Sequence, residues 1–171
     1  SSKRARRRIL YGRLTEPLHM NLLSLFVSIF GNYRTKIDYD LIIRHQYAFG
    51  ILEAADQAKA RNIKTVKLIE FGVGHGAGIL KMQNISRKVS KITGINFEIF
   101  GFDIVTGMPI VKSFKDNPED FVSGSYKTDI NSLLPKLDNN TDLVIGDVTE
   151  TIEPWMKDNC SSDSPIGFIA F

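Results

Sequence analysis

The chain has 171 residues, one domain's length and enough to bury a substantial core. Hydrophobic residues make up 43% and charged residues 24%, ordinary for a soluble globular protein. The single cysteine, Cys160, excludes an internal disulfide and a cysteine-built metal site, so a reducing compartment, the cytoplasm, is the default expectation.

The net charge of +3 hides an asymmetry. Within residues 1–36, eight cations (Lys3, Arg4, Arg6, Arg7, Arg8, Arg13, Arg34 and Lys36) face one acid, Glu16, a balance of +7 that leaves −4 for the remainder. Such an arm suits anionic lipid, nucleic acid or an acidic partner. A solvated extension is the simpler expectation. The apolar stretch 20–30 follows directly, and is too short for a bilayer, which needs about 20 residues. Basic-then-apolar resembles a signal peptide, but no A-x-A-like cleavage site follows. Leu22, Leu25, Phe26, Ile29 and Phe30 share one helical face. Docking on the main domain or on a second copy is expected of that face, ahead of membrane contact.

Gly31-Asn32 breaks this segment. A helix is predicted over 41–60, capped by Asp38 or Asp40, with Ala48, Ile51, Leu52, Ala55 and Ala58 as its apolar stripe. Arg44, His45, Gln46 and Tyr47 cluster at its start as a polar face within reach of a ligand. A predicted strand over 66–69 then runs into Glu70, with glycines at 72, 74, 76 and 78. Ile79, Met82, Ile85, Val89 and Ile92 follow at helical spacing, and Gly94 is the expected stop. Strand, glycine-rich turn and helix form the opening unit of a nucleotide-binding α/β domain. Glycine turns the chain without a Cβ clash, and the new helix offers unpaired N–H groups to a ligand. His75 lies in the turn, where its backbone is expected to matter more than its ring.

A second strand over 97–102 ends at Asp103. An acid there suits the two hydroxyls of a ribose; otherwise it is a cap or turn aspartate. Residues 105–140 are rich in Gly, Pro, Asp, Asn and Ser. Two short helical pieces are expected there, one after Asn117-Pro118 and one over 130–134, capped by Thr128 and disturbed by Pro135. A connection this long is either a substrate-facing lid or a plain surface loop. The third strand, 143–145, ends at Gly146-Asp147, a second acid at a strand tip. Thr149 is the expected cap of the next helix, which contains Ile152 and Trp155. A fourth, apolar strand over 166–171 would leave a hydrophobic sheet edge. Further chain beyond it, or a partner chain, is expected to cover that edge.

Together these residues resemble a class I S-adenosylmethionine-dependent methyltransferase. Glu70, Gly72, Gly74 and Gly76 meet its E-x-G-x-G-x-G pattern, and Asp103 and Asp147 stand at the second and third acidic positions. G-F-D-I-V-T-G-M-P (101–109), G-D-V-T-E-T-I (146–152) and P-I-G-F-I-A-F (165–171) are similar to macrocin-O-methyltransferase-like enzymes, which methylate sugar hydroxyls. The resemblance covers 66–171. It implies a Rossmann-like class I methyltransferase fold, a mainly parallel sheet with helices on both faces, incomplete at its C-terminal end. Residues 1–36 would be a basic arm with an apolar helix, and 37–171 the cofactor-binding domain.

By the same resemblance, Gly72, Gly74 and Gly76 pass under the methionine part of S-adenosylmethionine. Glu70 orients the turn or contacts the amino group indirectly. Asp103 holds the ribose, while Asp147 and Val148 frame the adenine. Glu70, Asp103 and Asp147 should then converge on one hollow. The family places an acidic D-x-D segment for metal and catalysis just after its fourth strand, where this sequence stops, so no catalytic base or metal ligand is named, and Mg²⁺ is implied by family only. The implied reaction is O-methylation of a small-molecule or sugar hydroxyl, with a homo-oligomer also possible for such an enzyme.

Two other readings stay open. Gly72-x-Gly74-x-x-Ala77 fits the fingerprint of an NAD(P)-dependent oxidoreductase, but Asp103 lies 31 positions beyond Gly72 where about 20 are expected. A non-catalytic methyltransferase-like binding module, recruited to RNA or membrane by its basic arm, is the other. Outside residues 1–13 the chain lacks the basic, aromatic-interleaved pattern of a nucleic-acid reader.

Overall fold

The computed structural model describes residues 18–110 and 122–171. Four strands, β1 (Thr65–Phe71), β2 (Asn96–Asp103), β3 (Thr141–Ile145) and β4 (Ile166–Ala170), form one all-parallel sheet in the order β3-β2-β1-β4. Each of the four expected strands is present. Parallel neighbours need crossovers, so the C-terminal tips of β1, β2 and β3 gather along one edge. Glu70 pairs with Gly101 on one side and Ala170 on the other, and Asp103 pairs with Ile145. Among the described residues, β4 pairs only with β1 and β3 only with β2, which makes these two the sheet edges.

Successive strand residues point to opposite faces. Val66, Leu68, Phe97 and Ile99 bury against α3 (His45–Ala60) and α4 (Ala77–Thr93). Ala48, Ile51, Leu52, Ala55 and Ala58 line α3, and Ile79, Met82, Ile85 and Val89 line α4, all buried. Ile92 alone of the expected stripe is exposed. Ile69, Phe100 and Phe102 face the other way, toward Trp155 of α6 (Val148–Asn159). The indole meets the Phe100 and Phe102 rings edge-on at 4.8 and 5.3 Å. Helices therefore cover both faces, and strands buried on both sides read as apolar runs. Lys67 interrupts the run of β1, and its ammonium meets Glu98 at 2.9 Å and Ser164 Oγ at 2.6 Å.

Several local expectations are corrected. Helix α3 begins at His45, not at residue 41, and neither Asp38 nor Asp40 caps it. Asp38 closes a separate short helix, α2 (Tyr33–Asp38), whose cap is Asn32, with Oδ1 accepting the Thr35 N–H at 2.9 Å. Asp40 and Arg44 take positive φ values of 50° and 59°, so 39–44 turns the chain instead of starting a helix. Asp147, not Thr149, caps α6. Asp129, not Thr128, caps the short α5 (Ile130–Leu133), accepting the Ser132 N–H. Pro135 sits in the 3₁₀ turn that follows, where its missing N–H costs nothing. The Asn117-Pro118 cap lies outside the described residues.

The apolar segment forms α1 (Leu18–Phe30), but the face expected to dock is not covered by the domain of the same chain. Leu22, Leu25, Phe26, Ile29 and Phe30 are all exposed, while Ser24 and Val27 are buried. The side that carries Ser24 and Val27 faces inward, and α1 contacts α2. No described helix is long and apolar enough to cross a membrane.

Candidate cofactor site

After Phe71 the chain turns through Gly72, Gly74 and Gly76, with φ of 77°, 51° and 79°. These are left-handed values that a Cβ would strain. Val73 between them is buried and anchors the turn, and the Gly72 N–H donates to Phe102 O at 2.9 Å. A Cβ at Gly72 or Gly74 would meet nothing within 4 Å, so the backbone there lies open to a ligand. Gly76 differs: a Cβ would come within 2.4 Å of the Leu133 side chain, so that end is closed by α5.

A cavity of about 420 Å³ opens over this turn, within the usual range of small-molecule sites, roughly 300–1,000 Å³. Gly72 and Gly74 line it together with Asp103, and so do Gly146, Asp147 and Val148 from the tip of β3. Asp103 joins two of the strand tips. Its Oδ2 accepts the Gly74 N–H at 2.8 Å and its Oδ1 the Val105 N–H at 2.6 Å. Each carboxylate oxygen retains capacity for a second donor, such as a ribose hydroxyl. Both expected roles, turn aspartate and cavity acid, are thus open to the one side chain.

Asp147 is at the cavity but is already engaged. Its Oδ1 accepts the Thr149 N–H at 2.8 Å and the Thr149 hydroxyl at 2.7 Å, capping α6. His75 is exposed and does not line the cavity.

The expected convergence of three carboxylates is not found, because Glu70 is not on the cavity wall. It lies beneath the turn, 5% exposed, with Oε1 accepting the Tyr47 hydroxyl at 3.0 Å. Its Oε2 is buried without a partner among the described residues. Burial pushes its carboxyl up to about 7, against the opposing pull of the Tyr47 hydrogen bond and the Arg44 charge. A Cβ on Gly78 would fall 1.6 Å from Oε1. The fourth glycine of the run therefore makes room for an acid packed against the start of α4.

Met108, Pro109 and Tyr126 also line the cavity, and were not anticipated as site residues. They come from the long connection after β2. Its two described limbs are stitched together: Met108 N–H donates to Ser125 O and Gly124 N–H to Met108 O, both at 2.8 Å, and Thr128 N–H donates to Val105 O at 3.1 Å. The G-M-P tripeptide at 107–109 was a visible signal for the first limb. Nothing local marks Tyr126, whose φ of 59° is unusual for a non-glycine residue.

Fold and site together give an α/β protein with an all-parallel sheet flanked by helices, as in Rossmann-like folds, and a cavity at the strand tips. No family model matches the chain, and no curated protein or solved structure is similar enough to count as a match. Among the described residues, no three His, Cys, Asp or Glu side chains gather as metal ligands.

Proposed function

We propose that the chain binds S-adenosylmethionine at this cavity and transfers its methyl group to a hydroxyl of a small molecule or sugar. The carrying observation is Asp103, hydrogen-bonded to Gly74 at the edge of a cavity whose backbone floor, Gly72 and Gly74, is open. That pairing suits a nucleoside lying across the tips of β1 and β2, its ribose on the acid and its tail over the glycines.

Asp103 would hold the ribose hydroxyls, and Asp147 and Val148 would border the base. Gly72 and Gly74 would pass beneath the amino-acid tail. Glu70 and Gly76 would serve from below, by supporting the turn and closing it against α5. Met108 and Tyr126 would limit water at the cavity. When bound, the cofactor would supply an electrophilic methyl on a sulfonium: the acceptor oxygen would bond to that carbon in line, sulfur would keep the pair of the broken C–S bond, and the hydroxyl proton would pass to solvent. Placement of acceptor against methyl is the main contribution asked of the protein, up to roughly 7–11 kcal/mol in good intramolecular cases.

Calorimetry on the purified chain with S-adenosylhomocysteine, S-adenosylmethionine and NAD⁺ tests this. Saturable binding of the two adenosyl sulfur compounds, without NAD⁺ binding, is expected. Binding of NAD⁺ alone would transfer the site to the oxidoreductase reading, and binding of none of the three would end the nucleoside assignment.

A further inference from the structure

Helix α1 carries an apolar face that the domain leaves uncovered. Leu22, Leu25, Phe26, Ile29 and Phe30 follow i, i+3, i+4, i+7, i+8 spacing, and each is 57–71% exposed. Ser24 and Val27 on the other side are buried. The helix sequence, LHMNLLSLFVSIF, contains no Asp, Glu, Lys or Arg. An apolar face of this kind without polar dilution marks a contact surface.

Charge identifies what it contacts. Residues 1–17, which lead straight into α1, contain Lys3, Arg4, Arg6, Arg7, Arg8 and Arg13 against Glu16 alone. We propose that α1 lies in the plane of an anionic lipid surface. Its outward side chains enter the boundary between headgroups and acyl chains, and the basic segment pairs with lipid anions. An apolar helix and a cationic cluster are the two weak signals that together give stable peripheral anchoring. Thirteen residues rise about 20 Å as a helix, short of a hydrocarbon core about 30 Å thick, so α1 lies on the bilayer and does not span it.

A second copy fits this face less well. Two-fold pairing through α1 would bring two segments of like charge to one interface. The rest of the protein also favours a membrane. Residues 37–171 carry −4, which turns that part away from anionic headgroups and leaves α1 as the contact. The helix is held to the domain through α2, where Arg34 pairs with Asp56 of α3 at 2.6 Å.

The test is flotation of the full chain with vesicles of phosphatidylcholine alone, or with 30% phosphatidylserine (about one lipid in three, a strongly anionic surface). Binding to the anionic vesicles should exceed binding to neutral ones by about tenfold or more, and should fall as salt is raised. F26S/I29S/F30S should abolish it without changing the melting temperature, since these side chains are exposed. F30D alone should weaken it severalfold, as a check should the triple variant be poorly behaved. R6Q/R7Q/R8Q should remove most of the preference for phosphatidylserine. Equal binding to both vesicle types, or binding to neither, overturns the proposal. So does a sedimenting dimer that F26S/I29S/F30S dissociates in the absence of vesicle binding, or RNA binding without vesicle binding.

Discussion

The Asp103 carboxylate accepts the backbone N–H of Gly74 at 2.8 Å, tying the tip of β2 to the turn that follows β1. The other oxygen holds the Val105 N–H, where the long connection departs. One side chain therefore fixes both segments beside the cavity. Hydrogen bonds to a charged group contribute about 1.5–3 kcal/mol each. Asp103→Ala should weaken S-adenosylhomocysteine binding by about tenfold or more in calorimetry. Asp103→Asn, which keeps one acceptor oxygen, should fall between. An unchanged dissociation constant in D103A would remove the ribose role from this residue.

Asp147 should behave differently, because its Oδ1 caps α6 through the Thr149 N–H and hydroxyl. Asp147→Ala removes the cap of α6 and should cost about 1 kcal/mol of stability, read as a lower urea midpoint. Its effect on ligand affinity should be smaller than that of D103A. A reversed ranking would make Asp147 the principal nucleoside ligand.

Glu70 makes stability depend on pH in an uncommon direction. Burial raises its carboxyl from 4.5 to about 7. Between these values the folded state holds more protons than the unfolded state, so this group's contribution falls as pH rises. Above pH 7 the ionised form is a full penalty of at most about 3 kcal/mol. Glu70→Gln removes the titration. The melting temperature of E70Q relative to the parent should therefore be higher at pH 8 than at pH 5. A difference independent of pH would mean that Glu70 is ionised in the folded protein without strain.

Gly78 is the partner of that buried acid. A helical Gly→Ala exchange ordinarily stabilises, by up to about 1 kcal/mol in a helix interior and less in the first turn, where Gly78 lies. Here the added Cβ would sit 1.6 Å from Glu70 Oε1, and G78A should instead destabilise by about 2 kcal/mol or more. In an E70A background the same exchange should return to neutral or stabilising. Additive effects in this double-mutant cycle would show that the two positions do not compete for space.

Much of the architecture could be read locally. The strands announce themselves because β1 and β2 are buried on both faces, and α4 because its stripe, Ile79 to Val89, repeats at helical spacing. The glycine turn, with Asp103 and Asp147 at strand tips, was visible for the same reason: these residue types answer to backbone geometry within a few positions. Caps were less legible. Asp38, Asp40, Thr128 and Thr149 are all competent cap residues, and the choice among neighbours depends on where the chain must turn.

Local pattern was enough for the succession of the four strands and the longer helices along the chain, the glycine turn and the acids at strand tips; the short helix α2 and the order of strands in the sheet were not legible in it. Where side chains point was settled by packing. It sent Glu70 under the turn to Tyr47 and Gly78, brought Tyr126 to the cavity from 23 positions beyond Asp103, and left the apolar face of α1 outward. The physical reason is that direction depends on packing between segments remote in the chain, and no local pattern encodes which neighbour a face will meet.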